Sequence, residues 1–252
     1  PTLALDKTSV YIGTNNFNTG AAGTSTCGGQ FCGTTLNVIP LASLLAGGGP
    51  TTTGIAQFVT PYNSTVGGDD RGFAIQGVNS RDASATGKVV AASLFFNDNL
   101  TYDVNFAPNG VATSTGAVTY YGTTDYDGNG PARQPDVNNF GNSRVVDALD
   151  QRISASAYEA NGKIYFVYTG TPVGGDFTEV RYVVTDAATN AILDQGTISD
   201  PTHDYYQGSI AVNSLGQVVI GYNRSGRDPT DGNITFAAQR FIAQALAAYV
   251  AL

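Results

Sequence analysis

"GSIAVNSLGQVVIGYNRSG", residues 208–226, decides how the chain is read. A strand of small and apolar residues runs into the turn Asn213-Ser214-Leu215-Gly216, and a second apolar strand leaves it. Side chains alternate along a strand, so Ile210 and Val212 share one face. Val218, Val219 and Ile220 are apolar in succession, which predicts burial of both faces of the second strand. Such a strand belongs in a sheet packed between layers.

The unit recurs. "ISASAYEANGKIYFVYTG", residues 153–170, has a small-residue strand, the hairpin dipeptide Asn161-Gly162 and the strand "KIYFVY", apolar on both faces. "PTLALDKTSVYIGTNNF", residues 1–17, is a third copy with a shorter turn, and residues 72–96 are a looser fourth with a longer loop. The copies start roughly 55 to 80 residues apart, a spacing that suggests repeated blades. The predicted fold is therefore all-β: a β-propeller-like array over residues 1–240, incomplete or part of a longer chain. Ala and Ser in the leading strands suit close approach of neighbouring sheets. Further strands are expected at 35–40, 101–107, 116–122 and 179–199, the last a hairpin around "DAATNA". A β-sandwich or stacked β-array is the alternative.

Composition agrees. Charged residues make up only 13% of the 252, with Gly, Ser, Thr and Asn in their place, which favours turns and short strands over helices. The apolar fraction of 42% is too high for a disordered chain of this kind. A net charge of −8 without a Lys/Arg cluster argues against a nucleic-acid partner. No apolar run reaches the roughly eighteen residues that span a bilayer. The acidic, Lys-poor composition points to an extracellular, cell-surface or periplasmic protein. Cys27 and Cys32 in "CGGQFC" are spaced to close a small disulfide loop, with free thiols as the alternative. Sequons stand at Asn63, Asn99, Asn223 and Asn233, and chance alone supplies several in so Asn- and Thr-rich a chain. The chain opens on Pro1 without Met, which reads as a mature or proteolysed product.

The segments 149–170 and 204–226 together resemble a group of bacterial secreted proteins of β-propeller type, often described as sialidase-like and mostly without established activity. The matching positions are Asp150, Arg152, Asn161, Gly162, Tyr206, Ser209, Asn213, Gly221, Tyr222, Ser225 and Gly226. The resemblance is clearest over 140–226 and implies fold and compartment more than chemistry. A sialidase-type site would need converging arginines, a Tyr nucleophile with a carboxylate base, and an acid. Arg71, Arg81, Arg133, Arg144, Arg152, Arg181, Arg224, Arg227 and Arg240 are the candidates. The Trp-ended turns common on sialidase blades are impossible in a chain with no Trp. Arg152 after Asp150 reads more simply as a blade-to-blade ion pair or a backbone clamp.

His203, the single His, sits beside Asp204, but no Gly-x-Ser-x-Gly elbow accompanies it, so a surface-loop His is expected. "TDYDGNGPARQPD" offers Asp125, Asp127 and Asn129 in the alternation that sets oxygen ligands on one side of a tight loop, which suits calcium. Asp136 stands where an EF-hand has Glu, and a solvated turn is the alternative. "GGDDRG" (67–72) and "DPTDGN" (228–233) are weaker acidic loops. The tail "FIAQALAAYVAL", residues 241–252, is uncharged, and reads either as a helix docked through Phe241, Ala245 and Tyr249 or as a strand of a further blade. The expected function is non-enzymatic: a module for binding or assembly, with a protein, a further copy of itself or a surface glycan as partner. A secreted glycan hydrolase is the alternative, marked by arginines converging in one pocket.

Overall fold

β-Branched and aromatic residues alternating with Thr, Asn and Ser favour pleated strands, and Asn, Asp and Gly supply the turns. The computed structural model is accordingly all-β, with the short helix α1 (Leu41–Leu44). It describes residues 1–17, 31–61, 72–82, 87–92, 99–105, 113–121, 132–133, 145–153, 155–172, 175, 177–226 and 238–244. The chain divides into two compact units, Pro1–Tyr121 and Gly122–Leu252.

In the first unit, β1 (Thr2–Leu5), β2 (Ser9–Phe17), β3 (Phe31–Pro40) and β4 (Ala56–Pro61) pair antiparallel in chain order. A second meander follows: β5 (Phe73–Ser80), β6 (Lys88–Ala92), β7 (Asn99–Asn105) and β8 (Thr113–Tyr121). Strand alternation sorts β1–β4 into two faces. Ala4, Tyr11, Leu36 and Phe58 on one face pack on Ile75, Val89 and Tyr102 of the second meander. Small residues let the backbones meet. A Cβ on Gly13 would overlap the Ile75 carbonyl oxygen, and one on Gly77 would stand 2.6 Å from Tyr11 Cγ. Three hydrogen bonds tie the layers: Thr2 Oγ1 donates to Ile75 O at 2.6 Å, Ala74 N–H to Asn15 Oδ1 at 2.8 Å and Leu5 N–H to Asn79 Oδ1 at 3.0 Å.

The opposite face of β1–β4 carries Leu3, Leu5, Val10, Ile12 and Ile39, which the register sets side by side. It is open: Leu3 is 64% exposed and Leu5 49%.

In the second unit, β9 (Ala132–Arg133) pairs with β10 (Val145–Val146). A third meander comprises β11 (Ala157–Ala160), β12 (Lys163–Gly170), β13 (Glu179–Asp186) and β14 (Ile192–Ile198). The last sheet is β15 (His203–Val212), β16 (Val218–Gly226) and β17 (Ala238–Gln244). Tyr165, Val167 and Val180 of the third meander pack on Tyr205, Ile210 and Ile220 of the last sheet. Gly208 is the point of close approach, where a Cβ would stand 2.8 Å from Val180 Cγ1.

All four expected hairpins form, but their burial differs. β12 is buried from Ile164 to Gly170 and β6 from Val89 to Ala92, hence on both faces. The hairpin at 208–226 departs from expectation, because Val219 is 44% exposed while Val218 and Ile220 are buried. The Ile210–Ile220 face of that sheet meets the third meander, and the other face is covered at Tyr206, which packs on Ala132 and Ala148, but not at Val219. The tail departs from the helical reading: its first residues belong to β17, which pairs Ile242 with Ile220 and Phe241 with Gly221. Strand β16 offers a free edge there, and Phe and Ile suit a pleated surface. Residues 245–252 lie outside the described residues.

The β11–β12 turn has φ 55° at Asn161 and 71° at Gly162, the left-handed pair of a type I′ turn. A Cβ on Gly162 would meet no atom within 4 Å, so substitution there strains backbone alone. Gly162→Val is expected to cost about 1–3 kcal/mol, read as a lowered urea midpoint.

Candidate functional site

Sequence motifs and buried polar groups converge on the first half of β15. The approach to it is "DPTH", residues 200–203. Asp200 Oδ1 accepts the Thr202 N–H at 2.8 Å and the Thr202 hydroxyl at 2.9 Å, a turn that carboxylates make by capping backbone two residues on. The turn brings His203 Nδ1 to 3.0 Å from Asp200 Oδ1, and Tyr205 donates its hydroxyl to Asp200 Oδ2 at 2.6 Å. His203 is buried, with its ring against Gly226, where any Cβ would come within 2.9 Å of Nε2. The surface-loop expectation for His203 is thereby corrected. An Asp turn and a facing glycine seat the ring inside the sheet.

Burial works to raise the Asp200 carboxyl. Hydrogen bonds from Tyr205, Thr202 and His203 outweigh it and hold the group well below the usual carboxylate range. Tyr205 is pushed up to about 12, by burial first and then by its bond to Asp200, against the opposing pull of Arg224. Tyr205 is therefore held protonated and makes a poor phenolate nucleophile at neutral pH.

Both shifts tie stability to pH. A depressed carboxyl contributes stability above the ordinary value of about 4 and loses it as pH falls further. The melting-temperature gap between wild type and Asp200→Asn should be full above about pH 5 and should close in acid. The raised Tyr205 contributes below the ordinary tyrosine value of about 10, and that contribution is lost as pH climbs through its folded value. Tyr205→Phe should flatten the alkaline limb of the same curve.

Strand alternation sets His203 and Tyr205 on one face of β15 and Asp204 and Tyr206 on the other. The register pairs His203 with Gly226 and Asp204 with Ser225. Ser225 therefore stands on the face that His203 leaves, and the two do not form a nucleophile–base pair. Asp204 instead clamps the residue that leads into β13, accepting the Thr178 N–H at 2.8 Å and its hydroxyl at 3.3 Å. Tyr206 packs with Ala132 and Ala148. Tyr222 tilts over Tyr205, ring centroids 5.3 Å apart. Asn213 caps its hairpin turn, accepting the N–H groups of Leu215 and Gln217 at 2.9 Å each. Asn161 Nδ2 donates to Ser214 O at 2.9 Å, joining two hairpin tips.

Arg152 holds Asp150 with two bonds, Nε to Oδ1 at 2.7 Å and Nη2 to Oδ2 at 2.6 Å, a local pair two residues apart and not the expected blade-to-blade one. Arg181 makes a buried pair with Glu179 at 2.6 Å. Each of these cations is thus matched by a carboxylate two residues earlier. Arg224 faces Tyr205 across the β15–β16 ladder, and Arg81 is exposed. The side chains of Arg71, Arg133, Arg144, Arg227 and Arg240 lie outside the described residues.

Asp125, Asp127, Asn129 and Asp136 also lie outside them, as do both weaker acidic loops save Gly72. Among the described residues, no three His, Cys, Asp or Glu side chains gather as a metal site. Cys32 is the second residue of β3, and Cys27 lies outside the described residues. Of the sequons, Asn63 and Asn233 lie outside them and Asn99 opens β7. Asn223 is within β16, with its amide bonded to Gln207 Oε1 at 3.3 Å and Ser225 buried, an arrangement unlike an exposed glycosylation loop. Among the described residues, no helix is long and apolar enough to cross a membrane.

Asp200 as the hub of the His203 cluster was missed in the sequence, although a signal was present. Asp6-Lys7-Thr8 makes the same turn, with Asp6 Oδ1 accepting the Thr8 N–H at 2.7 Å and its hydroxyl at 2.9 Å. Asp-x-Thr ahead of a strand is a repeated device of this chain. Compared with known proteins, the chain matches no family model, no curated protein and no solved structure.

Proposed function

We propose that the chain is a non-enzymatic, extracellular or cell-surface β-propeller-like module that works by binding or assembly. One observation carries this reading. β1–β4 carries an apolar patch on each face, and the patch of Leu3, Leu5, Val10, Ile12 and Ile39, beside the Gln57–Asn37 hydrogen bond, is left partly open, with Leu3 64% and Leu5 49% exposed. Contiguous apolar patches on a protein surface mark contact sites, because covering them removes apolar area from water. The successive antiparallel meanders support the propeller-like part of the reading, and the acidic, lysine-poor composition supports the compartment. A glycan hydrolase is disfavoured by Tyr205, held protonated, and by Arg152 and Arg181, each occupied by its own carboxylate. Calcium held by Asp125, Asp127 and Asn129 belongs to the same reading, and a calcium titration should then raise the melting temperature.

The deciding experiment incubates the purified chain with sialylated and neutral glycans and follows released sugar. No release is expected. Turnover abolished by Arg224→Gln, in a variant that melts like wild type, would overturn the reading in favour of a hydrolase.

A further inference from the structure

Two buried hydroxyls share one sheet face of the second unit. Among the described residues, the Tyr206 hydroxyl and Ser225 Oγ are buried and make no hydrogen bond. A buried polar group left unpaired costs free energy, so folded proteins pair it with protein or with an ordered water. The ladder sets Asp204 opposite Ser225 and Asn223 opposite Tyr206. Tyr206 and Ser225 are therefore diagonal neighbours on the face that His203 leaves. That diagonal is roughly 7–8 Å, within reach of a long side chain.

The strand itself does not call for the Tyr206 hydroxyl. β5 and β15 make the same bulge: the register shifts between Phe73 and Gln76 in one, and between Tyr206 and Ser209 in the other. Ala74 and Gln207 take φ of 51° and 50° there. Each gives its N–H to a side chain of the preceding meander, Asn15 Oδ1 at 2.8 Å and Thr169 Oγ1 at 2.9 Å. Phe73 fills in β5 the place that Tyr206 holds in β15, and it has no hydroxyl. The side chains of Ala132 and Ala148, packed on Tyr206, neither donate nor accept.

We infer that Tyr206 and Ser225 share one buried water that bridges their hydroxyls. Two hydrogen bonds of about 2.8 Å join oxygens up to about 5.5 Å apart, which suits a diagonal shortened by a tyrosine ring. Asp204, buried opposite Ser225, supplies a third group: its Oδ1 holds Thr178, and a carboxylate has about four acceptor positions. Its negative charge keeps an anion out. A hydroxyl both gives and takes hydrogen bonds, and water is the small neutral molecule that does the same. The bridge fastens the bulged half of β15 to β16 on the face turned away from the third meander.

The substitutions Tyr206→Phe and Ser225→Ala, singly and together, test it by urea denaturation. Removing a hydroxyl that has no partner leaves the midpoint unchanged or raises it, because a buried polar group is gone. Removing one that holds a water lowers it. Each single substitution should therefore lower the midpoint, and the pair should lower it by less than the sum, since either one alone releases the shared water. Magnetic relaxation dispersion of the solvent counts long-lived waters directly, and each variant should hold one fewer than the wild type. A midpoint that either substitution leaves unchanged or raises overturns the inference, as does additivity in the pair. An equal count of long-lived waters in wild type and Ser225→Ala overturns it too, and that comparison stands even where Tyr206→Phe does not fold.

Discussion

Gly13→Ala should destabilise the first unit by about 3 kcal/mol or more, in the range of severe overpacking. The added methyl would overlap the Ile75 carbonyl oxygen and crowd Thr2 Oγ1, the donor to that same oxygen at 2.6 Å. A carbonyl in the backbone of β5 is not a flexible side chain. Relief requires the β1–β4 sheet to lift from β5, which costs packing around Tyr11 and Ile75 and the hydrogen bond from Thr2. Chemical denaturation of wild type and variant measures the loss. An unchanged midpoint would mean that the two sheets do not touch at Gly13.

Tyr102→Ala should cost about 3–5 kcal/mol, the usual range for removing a large buried aromatic side chain. Tyr102 is fully buried in the core between the two meanders of the first unit, its ring tilted at 57° to Phe58 with centroids 5.9 Å apart. Removal forfeits the apolar area and leaves a cavity, because β7 is paired on both sides and cannot collapse inward. Tyr102→Phe separates the terms: it keeps the ring and its packing and loses only the hydroxyl. A small effect for Phe with a large one for Ala is expected. Equal losses would place the energy in the hydroxyl.

The hairpins were legible because their signals are local. Asn161-Gly162 favours a left-handed turn wherever the rest of the chain lies, and alternation in "TLALD" or "KIYFVY" sorts side chains by the geometry of a single strand. The Asp-x-Thr turn at Asp6 and Asp200 is equally local, a carboxylate capping backbone two residues on. Loop "DAATNA" was readable for the same reason, since Asp186 caps Ala188 and Thr189 within it.

Burial was not legible, because it depends on what arrives from far along the chain. "VVI" at 218–220 and "YFV" at 165–167 look alike as sequence, yet Val219 is open to solvent and Phe166 is completely buried. The difference is whether a second layer lies over the outward face, and no residue within either hairpin encodes that. His203 read as a loop residue until the register placed Gly226 beside it and the turn brought Asp200 to its Nδ1. By itself the sequence determined the strands, their turns and the faces each strand would present, through φ preference and side-chain alternation. Tertiary structure alone decided which faces are covered, since that follows from contacts between residues as distant as Thr2 and Ile75.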